Sequence, residues 1–325
     1  MNRRELITLI GAAATWPMLA RAQQPAMPVI GFLSTRAPGE DMHLLAAFHQ
    51  GLREMGFIAG QNVAIESRFA ESRYDRLPAL AADLVHRRVA VIAAVGSPSG
   101  PAAKAATTTI PIVFSTGIDP VAAGLVDNLS RPAANLTGVA SLGVELEPKR
   151  VEILHDLVPT ATSIAALVNP KTPAAEAQSA DMRAAARKLG LKIHILNAGS
   201  ESEFDAVFAS LRSLQASALA IGNDAFFTAR SEQLAGLALR HAVPAVFQFR
   251  EFAAAGGLMS YGGSLTDMYQ RVGVYAGRIL KGARPSELPV QLSTRVELII
   301  NLKTAKTLGI DVPPTLLARA DEVIE

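Results

Sequence analysis

From residue 28 onward, short runs of β-branched and other apolar residues alternate with amphipathic stretches. This alternation restricts the chain to parallel sheets covered by helices on both faces. A first series reads strand 29–34, helix 44–55, strand 63–68, helix 77–86, strand 89–95, helix 100–106 and strand 112–115. A second begins with helix 147–157 and continues as strand 164–169, helix 174–189, strand 192–197, helix 204–214, strand 218–222, helix 231–240 and strand 245–247. The remaining strand 257–261, helix 265–280, strand 296–301 and helix 302–308 are too few for a third domain. They are expected to complete the two earlier sheets, since crossover rules favour filling existing edges. The expected class is α/β, with two doubly wound lobes and a chain that passes between them more than once.

The first residues read as an address rather than as structure. Arg3 and Arg4 form a positive segment, residues 6–19 are apolar but short for a membrane span, and Ala20-Arg21-Ala22 is a small-x-small cleavage site. An export signal cleaved after about Ala22 is expected, with a periplasmic product. The Arg pair partly resembles a twin-arginine signal, so the export route stays open. Gln23 follows the expected site and the chain has no cysteine, so lipid attachment at an N-terminal Cys is not expected and stability must come from packing rather than disulfides.

The 31 basic and 29 acidic residues come into balance once Arg3, Arg4, Arg21 and Glu5 leave with the signal. There is no long run of like charge, so neither a nucleic acid nor a membrane surface is an expected partner. After Leu19 no apolar run is long enough for a transmembrane helix.

In open α/β sheets, ligands sit beyond the carboxyl ends of the strands. The first lobe places there Ser34 and Thr35, then Ser97 and Ser99 of Gly96-Ser97-Pro98-Ser99-Gly100, then Ser115, Thr116 and Asp119. The second places Asn169, Asn223, Asp224, Gln248 and Phe249. The 96–100 segment leads into a helix whose N-terminus favours an anion such as a carboxylate, although Ser97 or Ser99 can equally serve as its cap. Asp224 is placed to receive a substrate ammonium, or else to cap the following helix, and Asp119 carries the same ambiguity. Phe249 and Tyr261 can wall a ligand or simply belong to the core.

Catalytic patterns are missing from the sequence. There is neither a Gly-x-Gly-x-x-Gly after a strand nor a P-loop, so no nucleotide cofactor is expected. His43, His49, His86, His155, His194 and His241 are scattered without helical i, i+4 pairing, so no metal is expected. No Gly-x-Ser-x-Gly elbow accompanies a plausible histidine. The pairs Glu145/Glu147 and Glu201/Glu203 fall at helix starts, where the helix dipole accounts for them.

Six blocks of the sequence carry a family resemblance: AAFHQGLREMGFIAGQNVAIE (46–66), YDRLPALAADLV (74–85), AAKAATTTIPIVF (102–114), FREFAAAGGLMSYG (249–262), YAGRILKGARPSELPVQ (275–291) and ELIINLKTAKTLGIDVPPTLLARADEVIE (297–325). Together they resemble the ABC-transporter substrate-binding proteins of the branch that includes tryptophan-binding members. The resemblance implies a type I periplasmic-binding fold of two Rossmann-like lobes joined by three hinge crossings. Lobe 1 would comprise 28–138 plus 260–293 and lobe 2 139–259 plus 294–325, with hinges at 137–141, 258–261 and 294–299. It implies capture of a small polar molecule, such as an amino acid or other carboxylate, by a monomer that delivers it to a membrane permease. Ser97, Ser115, Thr116 and Asp119 would contribute from one lobe, and Asn169, Asp224 and Gln248 from the other. Ser97 stands where relatives often carry Thr. A sensor that presents its closed form to a receptor, and an exported enzyme on the same scaffold, are the alternatives; the missing catalytic set disfavours the second.

Overall fold

A strand buried on both faces must be apolar at every position, and Val91-Ile92-Ala93-Ala94-Val95 is fully buried at all five. The computed structural model describes residues 27–39, 42–132, 134–141, 146–293 and 296–325. The expected signal segment, Glu145 and the 294–295 part of the expected third hinge lie outside these residues.

In chain order, the first lobe runs β1 (Val29–Ser34), α1 (Met42–Glu54), β2 (Ala64–Phe69), α2 (Leu77–His86), β3 (Val91–Val95), α3 (Ser99–Ala106), β4 (Ile112–Thr116) and β5 (Leu136–Ser141). The second runs α4 (Glu147–Leu157), β6 (Ser163–Val168), α5 (Ala175–Lys188), β7 (Lys192–Asn197), α6 (Phe204–Ser213), β8 (Leu219–Ile221), α7 (Ala225–Ala229), α8 (Ser231–Arg240), β9 (Ala245–Phe247), α9 (Arg250–Ala254) and β10 (Met259–Gly263). The chain then returns with α10 (Leu265–Leu280) and β11 (Gln291–Ser293), and crosses again to β12 (Val296–Asn301), α11 (Leu302–Thr307), α12 (Pro314–Leu317) and β13 (Glu322–Ile324).

Two sheets result, a six-stranded one in the order β11-β5-β4-β3-β1-β2 and a seven-stranded one in the order β13-β12-β10-β9-β8-β6-β7. Among the described pairings only β10 with β12 is antiparallel. This is the α/β architecture the alternation required, and the C-terminal elements do extend both sheets. The expected lobe boundaries at 138/139 and 259/260 are corrected, because both fall inside strands. Val139 to Ser141 pair with β4 and β11 in the first sheet, and Met259 to Gly263 pair with β9 and β12 in the second. The expected hinge segments 137–141 and 258–261 are therefore mostly strand, and the chain changes lobes just after each of them.

Each sheet has an apolar cluster on either face. In the first lobe α1 and α10 cover one side around Phe32, Phe48, Val272 and Tyr275, while Leu84, Ile92 and Phe114 belong to the cluster on the other. The α1–α10 contact brings two backbones together, because Gly51 faces the carbonyl of Gln270 and Gly273 that of Phe48. A methyl at either glycine would collide with backbone, which cannot rotate aside as a side chain can. Gly273→Ala is expected to lower stability by about 3 kcal/mol, the upper end of the usual overpacking cost. Guanidinium unfolding would measure it, and an unchanged midpoint would show that the helices separate freely.

Candidate binding cleft between the lobes

The C-terminal ends of the two sheets face each other across a narrow cleft with about 50 Å³ of free space. On the first-lobe side, Gly96 after β3 has φ of 91°, a conformation costly for any residue with a Cβ. This turn delivers Ser97 to the cleft. Ser97 Oγ accepts from the Gly117 N–H at 3.0 Å and from Thr116 Oγ1 at 3.2 Å, so its own proton is the remaining donor. Ser115 Oγ accepts from the Gly96 N–H at 3.2 Å, which ties the ends of β3 and β4 together. Thr35, Ser97, Ser115 and Thr116 all line the cleft.

On the opposite side Asn223 is fixed through its backbone. Its N–H donates to Glu147 Oε1 at 2.8 Å and its carbonyl accepts from Gln178 Nε2 at 2.6 Å. The side chain is thereby aimed outward, and Asn223 Nδ2 donates to the Gly117 carbonyl of the first lobe at 3.1 Å. Gly117 permits the approach, since a Cβ there would lie 2.6 Å from Asn223 Nδ2. A second bond between lobes runs from the Tyr74 hydroxyl to Asp224 Oδ1 at 3.3 Å, and a third joins His43 Nε2 and Glu251 Oε1 at 3.1 Å. Phe249 extends from the end of β9 into the apolar cluster of the first lobe. The lobes are thus in contact on both the polar and the apolar sides of the cleft.

Gln248 also lines the cleft and is only 2 % exposed, yet neither Oε1 nor Nε2 has a hydrogen-bond partner. Ser141 Oγ, another buried lining atom, is equally without one. Native structures rarely leave buried polar groups unmatched, and each such group costs about 1–3 kcal/mol.

Six of the expected site residues do not line the cleft. Ser34 Oγ accepts from the Arg36 N–H, behind Thr35. Ser99 Oγ donates back to the Val95 carbonyl at 2.9 Å from a fully buried position. Asp119 caps an exposed turn by accepting from the Val121 and Ala122 N–H groups. Asn169 Nδ2 donates to Asp224 Oδ1 at 2.9 Å. Tyr261 lies in β10 opposite Leu298 and packs on the second lobe's core. Asp224 caps α7 through the Phe226 N–H and also accepts from Asn169 and Tyr74, so its oxygens are occupied behind the cleft wall. Burial nevertheless pushes its carboxyl above the usual range, with those hydrogen bonds acting against the shift.

The cleft also holds residues that sequence reasoning passed over. Arg36, only 6 % exposed, lies directly after Thr35 and was accessible to the same strand-end rule. Leu265, Met268 and Tyr269 give the cleft an apolar wall from α10, but in sequence they form a helix stripe indistinguishable from core. Ser141 falls in a segment expected as a hinge. The helix dipole alone does not account for Glu147, which is 1 % exposed, lies 3.5 Å from the equally buried Arg150 and holds Asn223. Burial pushes its carboxyl up to about 7, opposed by the nearby Arg150 guanidinium.

A bilobed α/β receptor with partner-less polar groups in its cleft is built to enclose a small solute. A family model described as ABC transporter substrate binding protein matches residues 36–324. The chain belongs to that family. The tyrosine-binding protein of Clostridioides difficile is 25 % identical over 262 residues, covering 80 % of this chain and 75 % of the relative. A Streptococcus pneumoniae ABC domain solved with L-Trp is 24 % identical, with TM-score 0.81 and coverage of 91 % and 99 % of the two chains. The ligand-free, open structure of a Clostridium difficile substrate-binding protein with adhesive properties has the same identity and coverage, but its TM-score is 0.64. Among the described residues no helix is long and apolar enough to cross a membrane.

The raised Glu147 pKa fixes a pH dependence. Below about pH 4.5 the carboxyl is protonated in both the folded and unfolded states, and between there and about 7 only the folded chain keeps the proton. The associated stability is therefore complete at low pH and is lost as pH rises through about 7. Glu147→Gln retains an acceptor for the Asn223 N–H but does not titrate. Denaturation midpoints at pH 5 and pH 8 are expected to fall further apart in the wild type than in this variant; equal differences would contradict the assignment.

Proposed function

We propose that this protein is the extracytoplasmic receptor of an ABC importer, which encloses a small carboxylate-bearing solute between its lobes and presents the closed form to a membrane permease. The observation that carries this reading is the pair of buried groups without partners, the Gln248 amide and the Ser141 hydroxyl, on the wall of the cleft between lobes. A solute supplying their hydrogen bonds binds the closed arrangement better than the open one, and that difference drives closure. The bonds Asn223 to Gly117 and Tyr74 to Asp224 form only when the lobes meet, so they add to the same preference. The greater overlap with the L-Trp complex than with the open structure is what a closed arrangement gives.

The relatives named for tyrosine and L-Trp support a solute of amino-acid size with an aromatic or branched body. The protein is read as a non-enzymatic monomer, working in the periplasm after removal of a signal ending near Ala22. Phe249, Leu265, Met268 and Tyr269 would cover the apolar body, while Ser97, Thr116, Asn223 and Gln248 would meet its polar groups.

Thermal-shift screening against organic acids, amino acids and sugars tests this directly. A true ligand at 100 times its Kd adds roughly 2.7 kcal/mol of stability. Gln248→Met keeps the side-chain bulk and removes the amide. This variant is expected to be as stable as the wild type or more so without ligand, yet to bind about tenfold more weakly, the loss expected for one buried hydrogen-bonding group. Calorimetry showing unchanged affinity would remove Gln248 from the site, and a library without any stabilising solute would overturn the reading as a whole.

A further inference from the structure

We propose that the solute carries, besides its carboxylate, a primary carboxamide that pairs edge to edge with the amide of Gln248. The inference rests on the binding-protein reading above and names the second polar group of its ligand.

The first observation is which polar side chains on the cleft wall are already engaged. Ser115 accepts from the Gly96 N–H, and Thr116 Oγ1 accepts from the Ile118 N–H at 3.2 Å while donating to Ser97. Asn223 Nδ2 donates to the Gly117 carbonyl, and Thr228 Oγ1 donates to the Asp224 carbonyl at 2.8 Å. Gln248 differs from these, because it is 2 % exposed and neither amide atom has a partner. Its deficit is specific: Oε1 needs a donor, Nε2 needs an acceptor, and the two stand side by side on one planar group. Turning the amide over leaves the same deficit, since both atoms are unmatched.

The second observation is what can fill that deficit. A carboxylate only accepts, so it would leave Oε1 unmatched and facing negative oxygen. An ammonium only donates and would leave Nε2 unmatched; an apolar group would leave both. A primary carboxamide presents a donor and an acceptor in one plane at the same spacing, and it closes two antiparallel hydrogen bonds with Gln248. A glutamine amide reads the adjacent donor and acceptor of an adenine edge by the same side-by-side pairing. The carboxamide retains a further N–H and lone pair for a hydroxyl. Ser141 supplies one, since it lines the cleft, is 3 % exposed and has an unmatched Oγ. Ser293, opposite Ser141 in the β11–β5 register, is buried and unmatched in the same way, so the polar deficit continues behind the wall.

The third observation is that Gln248 is anchored on both sides. A Cβ on Gly262 would lie 2.2 Å from the Gln248 carbonyl, so β10 passes directly against its backbone. The next residue, Phe249, is buried in the apolar cluster of the first lobe. The amide is thus presented from a fixed point. A site with a buried donor and a buried acceptor rejects a ligand that lacks either one more strongly than an apolar pocket rejects a change of size.

The test is calorimetry of the purified protein with three sets of equal-sized ligands that differ only at the end distal to one carboxylate. The first set is succinamate, succinate, 4-oxopentanoate and 4-methylpentanoate; the second is glutaramate, glutarate, 5-oxohexanoate and 5-methylhexanoate. The third, on an aromatic body, is 4-carbamoylbenzoate, terephthalate, 4-acetylbenzoate and 4-isopropylbenzoate. In at least one set the carboxamide is expected to bind about tenfold or more tightly than the other three members, the scale of one buried hydrogen bond. Gln248→Met should erase the preference for the carboxamide over the branched alkyl member, and Ser141→Ala should reduce it in part. If in every set that binds the carboxylate, ketone or alkyl member equals or exceeds the carboxamide, the inference is overturned and the binding-protein reading stays intact. Failure of all three sets also overturns it; if the broad solute screen is empty as well, the binding-protein reading fails with it. The ranking of ligands uses the wild-type chain, so it does not depend on the variants folding.

Discussion

Asn223 is gripped from its own lobe and reaches into the other, and the geometry of the cleft depends on that grip. Glu147 and Gln178 take its N–H and carbonyl, so the residue cannot turn without breaking two part-buried hydrogen bonds. Its side chain then meets the carbonyl of Gly117, whose N–H is held by Ser97. One chain of hydrogen bonds therefore runs from α4 through the tip of β8 and across the gap to the tip of β3. On the proposed reading, a solute in the cleft would lie beside this chain of bonds.

The cost of the arrangement is visible at its base. Glu147 and Arg150 are both 1 % exposed, and removing two charges from water is expensive even when they face each other. A packed apolar pair would serve stability as well, but it would leave the Asn223 N–H without an acceptor. The polar pair is thus explained by what it positions. The same reasoning applies to Gln248 and Ser141, whose unmatched atoms weaken the solute-free closed form; on the proposed reading the solute would be their partner. Receptor function and reduced intrinsic stability then have a common origin, the usual relation at sites that must receive something.

The fold was legible because period and length are local properties. β3 is apolar throughout, α10 carries a regular apolar stripe, and the two series could only be two wound sheets. β5 escaped notice because Leu136-Thr137-Gly138-Val139-Ala140-Ser141 mixes small and polar residues, which suit a strand end near a crossing as well as they suit a hinge. Within the site, the strand-end rule found Thr35, Ser97, Ser115, Thr116, Asn223, Gln248 and Phe249, all of which line the cleft. It could not tell lining from support, since Asp224 and Asn169 stand at strand ends too but spend their polar atoms on each other. The α10 wall was invisible for another reason: Leu265, Met268 and Tyr269 come from a helix start, and only the return of that helix to the first lobe brings them to the cleft.

The central claim is that the contacts across the cleft and the solute stabilise one and the same arrangement. The chain has no native cysteine, so Val121→Cys in the first lobe and Ser202→Cys in the second can carry a pair of spin labels without interference. Pulsed dipolar spectroscopy of this doubly labelled chain reads the separation of the lobes. The account predicts a broad, longer distance distribution without solute that narrows and shortens at saturation with a solute found by thermal shift. The same distribution with and without that bound solute would contradict it.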